Sequence, residues 1–207
     1  MRIIVFGDSI AQGYHDTCGG WVDRLKQYVL KNNKDASIFN LGISGDKVEH
    51  VVKRFNYEIG ARTKLWDSFD NSIIILAVGT NDTYKQGKNP DSVTNKSVFA
   101  NDYSRLIDMA KIEAQHVLVC SILPVDELRA TPVSWDNISY FNEIIDSYNV
   151  SIQNLCSEKG VKYLDSNLEA KKIDWDSMIY DGTHPNNDGH EWLFKQIQSY
   201  IDDLLQK

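Results

Sequence analysis

Five short apolar runs, separated by longer segments with helical periodicity, constrain the fold of this chain more than any other feature of its sequence. Short apolar runs bounded by turn residues are typical of buried strands, and amphipathic segments between them are typical of crossover helices. The predicted strands lie at 3–6, 37–41, 72–78, 117–123 and 161–164. The predicted helices lie at 21–32, 47–55, 99–114, 138–158 and 189–205. This alternation predicts an α/β fold in which helices cover both faces of a parallel sheet.

The length and the charge of the chain limit its organisation and its partners. With 207 residues, of which 42% are hydrophobic and 25% charged, the sequence predicts a single domain, residues 1–207, with one well-filled core. The 29 acidic and 22 basic residues give a formal net charge of -7. Because nucleic acids and anionic membranes bind basic surfaces, this balance disfavours both as partners.

Cysteine usage and hydropathy bear on the compartment. The three cysteines, Cys18, Cys120 and Cys156, fit neither a disulfide framework nor a paired metal motif, so we expect reduced thiols. No stretch reaches the roughly 20 apolar residues of a membrane span. The apolar run at 3–6 is too short for the hydrophobic region of a signal peptide. Together these features predict a soluble, cytoplasmic protein.

Helix ends and loops indicate where a ligand enters. Gly160 is suited to end the fourth helix, and residues 187–188 can cap the last one. Two long loops, at 86–96 and 124–137, follow predicted strands, and ligands of open parallel sheets bind beyond the carboxyl ends of the strands. We therefore expect these loops to form the walls of a substrate groove.

The fourth predicted helix has apolar residues spaced by three or four, which form one predicted buried stripe: Phe141, Ile144, Ile145, Tyr148, Ile152 and Leu155.

Three side chains from opposite ends of the chain are suited to acyl transfer. Ser9 follows the first predicted strand in the motif Gly7–Ile10, and Asp181 and His184 lie in the segment Asp181–Pro185. A serine hydroxyl becomes a good nucleophile when a neighbouring base removes its proton, and an imidazole is a reliable base when a carboxylate fixes its tautomer. Ser9, His184 and Asp181 can fill these three roles.

Two further strand ends offer hydrogen-bond donors for the oxyanion that forms when a serine attacks an ester. The segment 41–46 contains Gly42 and Gly45, and a glycine lets a backbone N–H approach a ligand without obstruction. The segment 79–82 contains Asn81, whose side-chain amide can donate. Because these segments follow strands, we expect them to converge with Ser9 and His184 at one edge of the sheet.

Together the four segments resemble the SGNH, or GDSL-type, hydrolases, a family named for Ser, Gly, Asn and His in four separate blocks. The matching blocks are Gly7–Ile10, Asn40–Asp46 with Gly45, Gly79–Asp82 and Asp181–Pro185, and the resemblance spans residues 3–190. A lone Gly-Asp-Ser is common in turns, whereas four blocks in the right order form a specific pattern. One departure is Ala11, where many members carry Ser or Thr; we expect little consequence, because that position supports the turn.

The resemblance implies a flavodoxin-like three-layer α/β/α sandwich with a five-stranded parallel sheet. It implies Ser9 as nucleophile, His184 as base and Asp181 as the orienting carboxylate, with an oxyanion hole formed by the backbone N–H groups of Ser9 and Gly45 and the side-chain amide of Asn81. Members are esterases, lipases, thioesterases and carbohydrate deacetylases, generally without a metal. It therefore implies no cofactor and a small-molecule acyl ester as substrate. Short segments between the blocks favour a short acyl or O-acetyl ester; acyl-thioesters and lysophospholipids are the alternatives within the family.

Two hypotheses from other classes fit parts of the sequence. A flavodoxin-like domain without hydrolase activity could hold a phosphate or a cofactor at 7–13, which leaves 181–184 unexplained. A metal-dependent phosphohydrolase could use Asp8, Asp82, Asp181 and His184 as ligands, which leaves the Gly and Asn blocks unexplained.

The remaining polar and aromatic residues near the blocks have simpler interpretations. We expect Asp8, Asp46 and Asp82 to be carboxylates that hold loop backbone, and His190 to be structural. We expect His15, His50 and His116 to lie at the surface or at the edge of the core. Aromatic side chains most often serve packing, and the candidates for groove walls are Tyr14, Trp21, Tyr84 and Trp135.

Overall fold

The structure, a computed structural model, describes residues 1–64, 68 and 70–205. Its strands are β1 (Arg2–Gly7), β2 (Ser37–Gly42), β3 (Ser72–Ala77), β4 (Lys85–Gln86), β5 (His116–Cys120), β6 (Ile138–Ser139) and β7 (Lys162–Leu164). Its α-helices are α1 (Ser9–Gln12), α2 (Gly20–Asn32), α3 (Val48–Thr63), α4 (Thr80–Thr83), α5 (Lys96–Glu113), α6 (Glu127–Ala130), α7 (Asn142–Lys159), α8 (Ser166–Ala170) and α9 (Asn187–Leu205), and a 3-10 turn covers Asp176–Met178.

Five of the described strands form one parallel sheet in the order β2-β1-β3-β5-β7. Counted along this sheet alone, the order is 2-1-3-4-5, which is that of flavodoxin-like folds. The prediction of a three-layer α/β fold with a five-stranded parallel sheet is confirmed. The strands β4 and β6 pair separately as an antiparallel ribbon beside the sheet.

Alternating side chains of the central strands build the two apolar layers. In β1, Ile3 and Val5 face one layer while Ile4 and Phe6 face the other, because successive residues of a strand point to opposite faces. Helices α2 and α9 cover the first face, and α3, α5 and α7 cover the second. Both faces of the central strands are therefore buried, which explains why these strands are continuous apolar runs.

Two predicted helices have boundaries that are wrong by several residues. The second predicted helix, at 47–55, is too short, because α3 continues to Thr63. The fourth predicted helix starts too early. That helix, α7, begins at Asn142 and not at 138, because residues 138–139 are strand β6 paired with β4. The N–H of Tyr140 donates to the carbonyl of Ala130, so this N–H is not bonded within a helix. Phe141 is consequently the N-cap, so it does not belong to the buried stripe in which the sequence placed it. The predicted stripe residues Ile145, Tyr148 and Ile152 are buried.

Two predicted helix ends have different outcomes. Gly160 ends α7 with a left-handed φ of 65°, as predicted. The cap predicted at 187–188 is wrong: the side chain of Asn186 caps α9 by accepting from the N–H groups of Asp188 and Gly189 at 3.0 and 3.1 Å. Asn187 instead uses its side chain to bind Thr17, which ties the start of α9 to the loop before α2.

The described cysteines are free thiols, in agreement with the sequence prediction. Cys120 and Cys156 are buried, and burial raises the pKa of each thiol to about 12. Cys18 is exposed. Among the described residues, no helix has the length and the apolar composition needed to cross a membrane.

His190 fastens α9 to the segment that follows α1. Its side chain is completely buried; the N–H of Trp21 donates to Nδ1 at 3.3 Å, and Nε2 lies 3.1 Å from the carbonyl oxygen of Tyr14. A backbone N–H can only donate and a carbonyl can only accept, so the neutral tautomer with the proton on Nε2 fits both bonds. The expectation of a structural role for His190 agrees with this geometry.

We predict that, below neutral pH, the free energy of unfolding depends less on pH after His190 is replaced. Burial disfavours the imidazolium and lowers the pKa of His190 in the folded protein. The unfolded chain takes up a proton near a pKa of about 6.5, where the folded protein does not, so stability falls as the pH drops below that value. In urea denaturation at a series of pH values, the free energy of unfolding should decline more steeply in wild type than in H190Q between about pH 7 and pH 5. Equal slopes would contradict this account of His190.

Candidate active site

Ser9 is the first residue of α1, directly after a sharp turn at the end of β1. The side chain of Asp8 caps α1 by accepting from the N–H of Ile10 at 3.0 Å. A Cβ on Gly7 would lie 2.3 Å from the Cβ of Ala11 and 2.7 Å from the carbonyl oxygen of Ala77, so the turn requires a glycine there. Ala11 is fully buried against this turn, in agreement with its expected supporting role. The turn brings Ser9 to the carboxyl edge of the sheet.

The side chains of Ser9, His184 and Asp181 form one hydrogen-bonded chain. Ser9 Oγ lies 2.8 Å from His184 Nε2, and His184 Nδ1 lies 2.8 Å from Asp181 Oδ2. The other carboxylate oxygen, Oδ1, accepts from the backbone N–H groups of His184 at 2.9 Å and Thr183 at 3.1 Å. The structure thus brings Ser9 to Asp181 and His184, although 175 residues separate Ser9 from His184 in the sequence.

Two effects compete at Asp181. Burial favours the neutral acid, but hydrogen bonds from the side chain and the backbone of His184 and from the backbone of Thr183 outweigh it. They hold the pKa of Asp181 below its usual range. Asp181 is therefore an anion at neutral pH, and it favours a proton on the facing His184 Nδ1. That tautomer leaves Nε2 free to accept a proton from Ser9.

The loop that carries Asp181 and His184 is held by α6. Gly182 has a φ of 105°, and its carbonyl accepts from the N–H of Asp126 at 2.9 Å. The guanidinium of Arg129 donates to the carbonyl of Tyr180 at 2.9 Å and to two further carbonyls in the same loop. Sequence reasoning missed Arg129, because nothing in the local pattern indicates contacts with residues about fifty positions away.

The two predicted sources of oxyanion donors have separate environments. Asn81 Nδ2 donates to the carbonyl of Asp46 at 3.1 Å, and its Oδ1 accepts from the hydroxyl of Tyr140 at 3.3 Å, which orients the amide. Because an amide nitrogen carries two protons, one remains for a ligand. Gly45 has a φ of 82°, and a Cβ added at this position would meet no atom within 4 Å.

Gly42 has a packing role. A Cβ at this position would lie 2.3 Å from the backbone nitrogen of Gln12 and 2.8 Å from the carbonyl oxygen of Asp8. The end of β2 therefore approaches α1 more closely than any side chain allows. Of the two glycines left open by the sequence, Gly45 is the one that lines the pocket next to Ser9.

A pocket of about 240 Å³ opens beside Ser9 and His184. Among the predicted wall residues, Tyr84 and Trp135 line it, and Trp135 comes from the loop at 124–137. The ring of Tyr14 is half exposed and lies 5.0 Å from the ring of His184. Trp21 serves packing, since it lies on the buried face of α2 in the apolar layer. The prediction for the loop at 86–96 is wrong, because this loop contributes no lining residue among those described.

Asp8 and Asp82 are buried under the site. Burial raises the pKa of each carboxyl group to about 6. Asp82 accepts from the N–H of Val48 at 3.0 Å, and Asp46 forms an ion pair with Arg54 at 2.9 Å. Asp8 and Asp82 hold loop backbone, as the sequence analysis expected, whereas the carboxylate of Asp46 binds the side chain of Arg54.

The described residues contain one group of side chains with suitable spacing for a metal ion. It comprises His15, Asp181 and His184, each of which offers one ligand atom within 4.8 Å of the others. Asp8 and Asp82, which the phosphohydrolase hypothesis requires, are not part of it. The hypothesis of a phosphate cradle at 7–13 loses three of its donors, since the N–H groups of Ile10, Gln12 and Gly13 bond within their own turn.

The expectation for His15 is too simple. Its side chain is partly exposed, yet its Nε2 lies 3.1 Å from Asp181 Oδ2. Proximity of His15 to Ser9 in the sequence was the one available signal. The partner is 166 residues away, so no local pattern could reveal the contact.

Comparison with known proteins gives a consistent family. The sequence profile of the GDSL-like Lipase/Acylhydrolase family matches residues 5–192. A curated relative, the human isoamyl acetate-hydrolyzing esterase 1 homolog, is 21% identical over 214 residues, which covers 97% of this chain and 81% of the relative.

Solved structures share the fold. A lipase/acylhydrolase from Enterococcus faecalis superimposes with a TM-score of 0.75 at 20% identity, covering 97% of this chain and 94% of that one. An acetylxylan esterase from Geobacillus stearothermophilus gives a TM-score of 0.73 at 17% identity, with 97% and 93% covered. At such identities the likeness is one of fold.

We predict that an alanine destabilises the protein much less at Gly45 than at Gly42. G45A should lower the free energy of unfolding by about 1–2 kcal/mol, the cost of a left-handed alanine, because its Cβ meets no atom within 4 Å. G42A should cost about 3 kcal/mol or more, since its Cβ overlaps backbone atoms that cannot move away. Denaturant unfolding of the two variants measures the difference. If G45A were the more destabilised variant, the packing described here would be wrong.

Proposed function

Because the chain belongs to the GDSL-like lipase/acylhydrolase family and is a carboxylic ester hydrolase, we propose that it cleaves short-chain esters through an acyl-enzyme formed on Ser9. His184 serves as the base and Asp181 orients it. The observation that supports this proposal is the hydrogen-bonded chain Ser9–His184–Asp181, with two 2.8 Å contacts, at the edge of a pocket.

In the first half of the reaction, Ser9 Oγ attacks the ester carbonyl carbon while His184 Nε2 takes the hydroxyl proton. The electron pair of the carbonyl bond moves to the oxygen, which gives a tetrahedral oxyanion. The imidazolium then returns its proton to the alcohol oxygen as the carbon–oxygen bond breaks. The alcohol leaves, and the acyl group stays on Ser9.

In the second half, water replaces the alcohol. His184 takes a proton from the water as its oxygen attacks the acyl carbon, and a second tetrahedral oxyanion collapses to release the carboxylic acid and to return the proton to Ser9 Oγ. Asp181 remains ionised throughout and stabilises the imidazolium that forms in each half.

The oxyanion requires donors that are in place before it forms. We propose the backbone N–H groups of Ser9 and Gly45 and the side-chain amide of Asn81 for this role. Their support is that all three residues line the same pocket as His184. The contact between Tyr140 and Asn81 keeps the Asn81 amide fixed, so little reorganisation is needed when charge develops.

The size of the pocket favours a small acyl group. A volume of about 240 Å³ holds an acetyl group with part of its alcohol, but not a long fatty chain together with its head group. Two similar proteins are named for acetate esters, isoamyl acetate and acetylxylan. We therefore propose acetyl and other short-chain esters as substrates.

A chain-length panel tests the proposed substrate class. With 4-nitrophenyl esters, kcat/KM should be greatest for acetate or propionate and should fall by about tenfold or more at octanoate, since the longer chain loses about 1.4 kcal/mol or more of transition-state binding where it does not fit. An optimum at octanoate would contradict the short-chain proposal while leaving the proposed nucleophile in place.

The matched control for this panel is S9A. It should fold like wild type and lose at least about 10³-fold in kcat on every ester, because no other described hydroxyl contacts His184 Nε2. Substantial turnover by S9A would refute Ser9 as the nucleophile whatever the chain-length preference.

A further inference from the structure

A second imidazole contacts the carboxylate that orients His184. His15 Nε2 lies 3.1 Å from Asp181 Oδ2, the same oxygen that lies 2.8 Å from His184 Nδ1. The other oxygen, Oδ1, is already occupied by the backbone of Thr183 and His184. Both edges of the carboxylate are therefore fixed, and His15 supplies the contact that comes from outside the Asp181 loop.

The backbone of His15 has an unfavourable conformation, which the rings packed around its side chain hold in place. Its φ is 63°, in the left-handed region that residues with a Cβ rarely adopt. Its ring stacks on Tyr180 at a centroid distance of 4.0 Å and 24°, and meets the ring of Tyr14 edge-on at 4.3 Å. A residue held in a sparsely populated backbone region by its surroundings, next to reacting groups, points to a functional constraint.

We propose that His15 is a positioning residue for the hydrolysis reaction, an inference that rests on the proposed function. Its Nε2–H donates to Asp181 Oδ2 and prevents the carboxylate from rotating away from His184. It acts through Asp181 and does not touch the ester. His15 follows α1, which carries Ser9, so the same hydrogen bond joins the segment of the nucleophile to the loop of the base.

The physical argument concerns orientation. The side chain of Asp181 is bonded through Oδ1 to its own loop alone, so without His15 its second oxygen is fixed only by His184, the group that it has to orient. The hydrogen bond from His15 fixes Oδ2 and leaves Asp181 ionised, so the imidazolium formed at His184 during the reaction keeps its counter-charge. The Tyr180 ring, stacked on His15, belongs to the loop that Arg129 holds, which makes the arrangement rigid.

Three variants distinguish the hydrogen bond that His15 donates to Asp181 from the packing of its ring against Tyr180. H15F keeps an aromatic ring against Tyr180 but cannot donate, and its kcat on 4-nitrophenyl acetate should fall about 5- to 10-fold with KM nearly unchanged, the effect of one lost hydrogen bond. H15Q places an amide nitrogen the same number of bonds from the backbone as His Nε2, and it should recover most of the wild-type kcat. H15A is a second variant without a donor, for use if H15F does not fold.

The outcomes of this experiment distinguish the inference from the proposed function. Loss of kcat in H15F or H15A with recovery in H15Q supports His15 as a donor to Asp181. Wild-type kcat in the variants without a donor, or equal losses in H15F and H15Q, overturns it. S9A is measured in parallel: if S9A is inactive, these failures concern His15 alone, whereas activity in S9A removes the proposed function itself.

Discussion

The parallel pairing of β1 with both of its neighbours is the constraint on which the rest of the molecule depends. Gly7, the last residue of β1, lies beside Gly42 of β2 and Ala77 of β3. In parallel strands the chain leaves the sheet on the same side, so three blocks distant in sequence meet at one edge. The close approach of Gly7 to Ala77 and of Gly42 to Gln12 leaves no space for side chains at either glycine, which keeps the strand ends together.

Around this edge, the local environment gives chemically identical groups different properties. Asp8 and Asp181 are both partly or fully removed from water, and burial disfavours the charge of each. At Asp8 burial outweighs the hydrogen bonds from the backbone of Ile10 and the side chain of Thr80 and raises the pKa to about 6, whereas at Asp181 the hydrogen bonds from His184 and Thr183 prevail and lower the pKa. Asp181, the carboxylate that faces an imidazole, therefore stays charged to a lower pH than Asp8, which suits its proposed role.

The sequence predicted the sheet, its covering helices and the four blocks, because those features are encoded locally: apolar runs, helical periodicity and short motifs after strands. It did not predict the start of α7, where residues 138–139 pair with β4 across a long separation in sequence. It also missed His15 and Arg129, whose partners lie 166 and about 50 residues away. Contacts that depend on the folded arrangement of loops leave no periodic signal, so the network that supports the proposed triad emerged only from the structure.

We propose that Ser9 is acylated beside an oxyanion hole made by Ser9, Gly45 and Asn81. The most direct test is a crystal structure of the protein after reaction with a 4-nitrophenyl alkylphosphonate, whose tetrahedral adduct resembles the intermediate. We expect a covalent bond from phosphorus to Ser9 Oγ, with the phosphonyl oxygen within hydrogen-bond distance of the N–H groups of Ser9 and Gly45 and of Asn81 Nδ2. An adduct on another residue, no adduct at all, or a phosphonyl oxygen turned away from Gly45 and Asn81 would contradict it.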